Sequence, residues 1–85
     1  MNEIIDFFRN ETYIEELNEG IIFVCRMKRM DNIEFIGYGL SKELAIKDMF
    51  KDLYRKGESV ETGGYNYHLR RESAGISDKL IKSLL

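Results

Sequence analysis

Proline and tryptophan are absent from this chain of 85 residues, and cysteine and histidine occur once each. Each scarcity removes a class of protein. Without proline there is no polyproline ligand, no stiff linker and no slow prolyl isomerisation. One cysteine excludes an internal disulfide, and one cysteine plus one histidine cannot supply a four-ligand zinc site. No apolar run approaches the ~20 residues that cross a bilayer. The chain opens Met1-Asn2-Glu3, which is acidic and unlike a signal peptide, so a cytoplasmic protein is expected.

What remains is a mixed globular composition, 44% hydrophobic and 33% charged, with a net charge of −2. This length makes a single α+β domain over 1–85 and buries only roughly two-thirds of the surface the unfolded chain exposes. The charge is unevenly spread. Residues 1–20 hold six acids against Arg9, and residues 21–85 hold twelve bases against nine acids. The acidic first segment is suited to docking on a basic protein surface and to disfavouring nucleic acid. Its glutamates Glu11, Glu15, Glu16 and Glu19 are the candidate protein-binding residues.

Along the chain, Asn2 is placed to cap a first helix with Ile4, Ile5 and Phe8 on one side. For Asn10–Glu19 the capping-box form of Thr12-Tyr13-Ile14-Glu15 favours a second helical turn joining Ile14 and Leu17. The competing expectation is a strand over Tyr13–Leu17 turning at Asn18-Glu19-Gly20. Ile21–Met30 is β-branched and then alternating, a strand with Cys25 and Met27 on one face and Ile22, Val24, Arg26 and Lys28 on the other. Asp31-Asn32 is a turn signal, and Ile33–Tyr38 returns as the second strand of an antiparallel hairpin.

Ser41 caps an amphipathic helix, 41–55, whose apolar stripe is Ala45/Ile46, Met49/Phe50 and Leu53/Tyr54. Gly57 ends it, and Glu58–Gly64 is a loop. Tyr65-Asn66-Tyr67-His68-Leu69-Arg70 alternates and is predicted as a third, edge strand. After a break at Ser73–Gly75, Ser77 caps a short C-terminal helix with Leu80, Ile81, Leu84 and Leu85 on one side. That helix docks on the core or on another copy, so a homodimer is one expectation. The expected architecture is therefore a three-stranded antiparallel sheet with one amphipathic helix on a face, an N-terminal helical segment and a short C-terminal helix.

Catalytic patterns are sparse. Cys25 lies among apolar strand residues with no base beside it, which reads as a small buried hydrophobe. His68 has no serine or cysteine in a triad pattern. The acids at 11, 15 and 16, and at 43, 48 and 52, fall at the spacing of solvated helix faces. Gly37-Tyr38-Gly39 lacks the glycine spacing of a phosphate loop. The sequence thus points to a non-catalytic binding module without cofactor or metal, such as an inhibitor, antitoxin-like or adaptor protein. A nucleic-acid-binding module is the alternative, using Lys42, Lys47, Arg55, Arg70 and Arg71 on phosphates and exposed tyrosines on bases.

The segment Ile33–Tyr54 resembles the strand-to-helix junction of double-stranded-RNA-binding domains. Gly37, Gly39, Ser41, Lys42 and Ala45 match that family's two glycines, its serine-lysine helix start and its buried alanine. The resemblance implies a helix, antiparallel strands and a packed helix, with Lys42 as a phosphate contact. Glu43 and Ile46 stand where the family has further phosphate-binding lysines, and Lys47, Asp48, Met49 and Phe50 replace its small residues. Gly39-Leu40-Ser41-Lys42-Glu43-Leu44-Ala45 is also similar to the helix start of HicB-type antitoxins, and Glu43 fits that pattern better. That family's third strand before the helix, with its proline-glycine loop, has no counterpart in the sequence.

Overall fold

The computed structural model describes residues 2–28, 34–56 and 65–85. The chain runs α1 (Asn2–Glu11), β1 (Thr12–Leu17), β2 (Ile22–Lys28), β3 (Glu34–Gly39), α2 (Lys42–Lys56), α3 (Tyr65–Ala74) and α4 (Ser77–Leu84). The strands form one antiparallel sheet in the order β1-β2-β3. This is the α+β architecture expected, with α2 packed on the sheet. One strand comes from a different part of the chain.

That strand is β1, where a helical turn was favoured. Thr12 pairs with Met27 and Leu17 with Ile22, so Ile14 and Leu17 point to opposite faces and not to one. Asn18, Glu19 and Gly20 all take positive φ, at 53°, 59° and 87°, and reverse the chain. Gly20 N–H donates to Leu17 C=O and Ile21 N–H to Asn18 C=O, each at 3.2 Å. The strand wins because β2 needs a ladder partner on this side and the Asn-Glu-Gly turn supplies one at short range. Asn2, expected as a cap, is the first helical residue of α1.

The expected strand at 65–70 is instead the start of helix α3. Its buried residues Leu69 and Ser73 lie four apart, on one helical face. That spacing puts both on the side facing the core, whereas an alternating strand would turn the exposed Arg71 to that side with them. Ser73 lies inside α3, and the break falls at Gly75-Ile76. The last helix starts after Ile76 with no side-chain cap, so Ser77 is not its N-cap. The turn at Asp31-Asn32, Ile33, Arg29-Met30, Gly57 and the 58–64 loop lie outside the described residues, as do the side chains of Tyr65 and Tyr67.

The described helices pack on one side of the sheet. Phe8 of α1, Cys25, Met27 and Phe35 of the sheet, Ala45, Ile46, Met49, Phe50 and Leu53 of α2, Leu69 and Leu80 form one buried cluster. Phe8 and Phe50 stack at 5.4 Å between ring centroids. Leu80 brings α4 onto this core, with Ile81 and Leu84 packed beside it, and Leu85 remains 56% exposed. The C-terminal helix therefore docks on its own chain. No helix among the described residues is long and apolar enough to cross a membrane.

Gly37 and Gly39 set how closely α2 approaches. A Cβ on Gly37 would lie 2.1 Å from Met49 N and 2.3 Å from Ala45 O, and one on Gly39 would lie 2.6 Å from Ala45 N. Strand and helix backbones touch here, which only glycine permits. Ser41 then caps the helix, its Oγ accepting from Leu44 N–H at 3.2 Å.

Candidate functional site: the two sheet edges

The close approach puts α2 alongside the outer edge of β3. The N–H of Ile36 donates to Asp52 Oδ2 at 3.1 Å, and the N–H of Tyr38 donates to Asp48 Oδ2 at 2.9 Å. Lys56 Nζ donates to the Glu34 carbonyl at 2.9 Å and to Asp52 Oδ2 at 3.1 Å, and it sits 5.5 Å from the centre of the Phe35 ring. Arg55 pairs with the other Asp52 oxygen. Four helical residues rise about 6.0 Å and two strand residues about 6.7 Å, so side chains at 48, 52 and 56 keep pace with the backbone at 38, 36 and 34. Asp48 and Asp52 were expected to be solvated. They are edge caps, and burial, which alone would raise the Asp52 pKa, is outweighed by the Ile36 N–H, Lys56 and Arg55, leaving it lowered.

Among the described residues the β1 edge has nothing equivalent. Ile36 and Tyr38 turn their N–H groups outward, so alternation across the ladder leaves Thr12, Ile14 and Glu16 as the outward-facing residues of β1. The Thr12 N–H closes the last turn of α1, and the outward backbone groups of Ile14 and Glu16 have no partner among the described residues. The Thr12 hydroxyl oxygen is shut off from water and also lacks a hydrogen-bond partner. Such an edge is a template for another chain.

The four candidate glutamates gather around this edge, but not on one helix face. Glu11 ends α1, Glu19 sits in the β1–β2 turn, and the adjacent Glu15 and Glu16 point to opposite faces of the strand. All four are exposed, and none is in an ion pair among the described residues. On the face away from the helices, Tyr13, Leu17 and Tyr38 are 53%, 41% and 56% exposed around the buried Val24.

The candidate basic residues are not brought together. Lys42 at the start of α2 and Arg55 near its end are about 20 Å apart along the axis. Lys47 pairs with Glu43 at 3.1 Å and Arg55 with Asp52. Arg70 lies over the Tyr54 ring at 6.0 Å, on the side where α3 meets α2. Arg71 lines a shallow depression with His68 and Glu72. Arg26, on the open face, pairs with Glu34 at 3.4 Å.

Cys25 is fully buried and free, and burial pushes its thiol up to about 12, so it holds its proton at neutral pH. Among the described residues no three His, Cys, Asp or Glu side chains come together as a metal site. Comparison with protein-family models, with curated proteins and with solved structures finds no match to this chain.

The sequence reading named the glutamates but not the strand edge beside which they lie. The missed signal was the pair Asp48 and Asp52, four apart and flanking the apolar stripe of α2, directly after a strand with glycines at alternate positions.

Proposed function

We propose that this protein is a small, non-catalytic binding module of the cytoplasm that acts through a protein partner, as an inhibitor, antitoxin-like or adaptor protein does. The observation that carries the reading is a difference in charge compensation. Lys47, Arg55 and Arg26 are each paired with an acid, whereas Glu11, Glu15, Glu16 and Glu19 are exposed and have no ion pair among the described residues, beside the β1 edge. Desolvating an already paired cation gains a partner little, while free carboxylates favour a basic surface. The test is the double variant Glu15→Lys/Glu16→Lys, compared with wild type in retaining bound proteins from the native lysate. Both residues are exposed on β1, so the fold should survive. Retention unchanged by the reversal sinks the reading.

A second reading, a nucleic-acid module shaped like a double-stranded-RNA-binding domain, is favoured by the helix, three strands and helix of α1 to α2 and by Lys42, exposed at the start of α2. It requires binding to duplex RNA or DNA that weakens steeply with salt and weakens further in Lys42→Glu. Binding indifferent to salt, or none at low salt, removes it.

A further inference from the structure

We propose that the outer edge of β1 receives a basic, extended segment of a partner protein as a fourth antiparallel strand, an inference that rests on the protein-binding reading above and names its mode and partner chemistry. The two edges of the sheet are treated oppositely. On β3 the outward N–H groups of Ile36 and Tyr38 are taken by Asp52 and Asp48, and Lys56 takes the Glu34 carbonyl. On β1 the outward backbone groups of Ile14 and Glu16 have no partner among the described residues. Strand addition supplies partners to such groups through backbone bonds, and side chains at alternate positions set the specificity.

Charge decides the occupant. A second copy paired through β1 would gather two sets of Glu11, Glu15, Glu16 and Glu19 within about 20 Å, the length of a six-residue strand. Like charges at that density oppose pairing. A basic strand is instead attracted. Glu15 and Glu16 point to opposite faces, so two adjacent basic residues, one for each face, are what the edge selects. Running antiparallel, the incoming segment meets Leu17 first and Thr12 last. Its preferred order is apolar against Leu17, basic against Glu16, basic against Glu15, β-branched against Ile14, any residue against Tyr13, and a hydroxyl or amide against Thr12.

The experiment is a titration of the whole isotope-labelled chain with the peptide Val-Lys-Lys-Val-Thr-Ser, followed by amide chemical shifts and amide exchange. Addition to the edge shifts the amides of Ile14 and Glu16 and slows their exchange. N-methylating the first lysine and second valine, whose N–H groups would face β1, should weaken binding about tenfold or more, as should replacing both lysines by glutamate. Equal binding by the N-methylated peptide overturns strand addition, because charge alone then holds the segment. On the protein side, Glu16→Pro removes an outward N–H that makes no ladder bond, and Glu16→Gln removes only the charge. Proline should weaken the peptide several-fold more than glutamine, and equal effects overturn the proposal. No binding by the peptide also overturns it. In that case partner retention that still falls in Glu15→Lys/Glu16→Lys leaves the protein-binding reading standing, and retention that does not fall ends both.

Discussion

Asp52 on α2 accepts the Ile36 N–H of β3 at 3.1 Å, so a helix side chain occupies the place where a fourth strand would begin. Asp48 does the same for Tyr38 one helical turn earlier. Exposed edges invite pairing with other chains, and proteins blunt them with charge or with a covering element. Here a single helix does both on one side, and among the described residues nothing pairs with the other edge. The asymmetry gives the sheet a direction in which it can be extended.

Asp52 ties this edge to pH. The Ile36 N–H, Lys56 and Arg55 hold its pKa below the ordinary value of 3.8 despite its burial. A carboxyl depressed on folding contributes stability that is present above the unfolded value and is lost as pH falls through the folded one. Asp52→Asn keeps an oxygen for Ile36 and loses the attraction to both cations. It should lower stability by about 1 kcal/mol at pH 7, and the gap to wild type should narrow as pH falls below the ordinary value of 3.8. Urea unfolding at pH 7, 4 and 2.5 measures this, and a gap that stays constant with pH would refute the role given to the charge.

Gly37→Ala tests the contact between strand and helix backbones. The new methyl would meet Met49 N and Ala45 O, neither of which moves without shifting α2. Overpacking of ordinary cores costs about 1–3 kcal/mol, and a rigid backbone neighbour places this change at about 3 kcal/mol or more. Because Asp48 and Asp52 ride on α2, amide exchange at Ile36 and Tyr38 should also accelerate. A loss of stability with no change at those two amides would separate glycine packing from edge capping.

Much of the core was legible because its periods are strong. Cys25 and Met27 alternate with Val24 and Arg26 as a half-buried strand must, and Ala45, Ile46, Met49, Phe50 and Leu53 repeat as a buried helix face does. The misreadings fall where local pattern and tertiary demand disagree. Thr12-Tyr13-Ile14-Glu15 has a helix-capping form, yet β2 requires a neighbour and the left-handed Asn18-Glu19-Gly20 turn delivers one. Tyr65–Arg70 alternates like a strand, yet Leu69 and Ser73, four apart, are both buried, which a helix packed on the core achieves. The open β1 edge was illegible for a related reason. It consists of backbone groups, which carry no residue-specific signal until the pairing is known.

Burial of Cys25 makes a chemical prediction. With its thiol pushed up to about 12 and fully enclosed, it should resist alkylation by iodoacetamide at pH 8 in the folded protein. In denaturant it should react at the rate of an ordinary thiol. Mass spectrometry before and after unfolding reads the difference. Rapid labelling of the native protein would mean that the sheet opens beside β2 far more readily than its packing implies.

Leu80 decides what the C-terminal helix is for. An eight-residue helix has little stability of its own, and α4 persists because Leu80 is fully buried against the core with Ile81 and Leu84 beside it. Leu80→Ala should therefore destabilise the fold by about 2–5 kcal/mol, the range for deleting a buried leucine side chain. The alternative role, joining two copies, makes a different demand: the variant would lower the mass in solution and make stability depend on protein concentration. Denaturant unfolding at two concentrations, with light scattering on both proteins, distinguishes them. The expected result is a large loss of stability that is independent of concentration, with one mass for wild type and variant. A mass that halves on substitution would instead make α4 an interface and move Leu80 from core to contact.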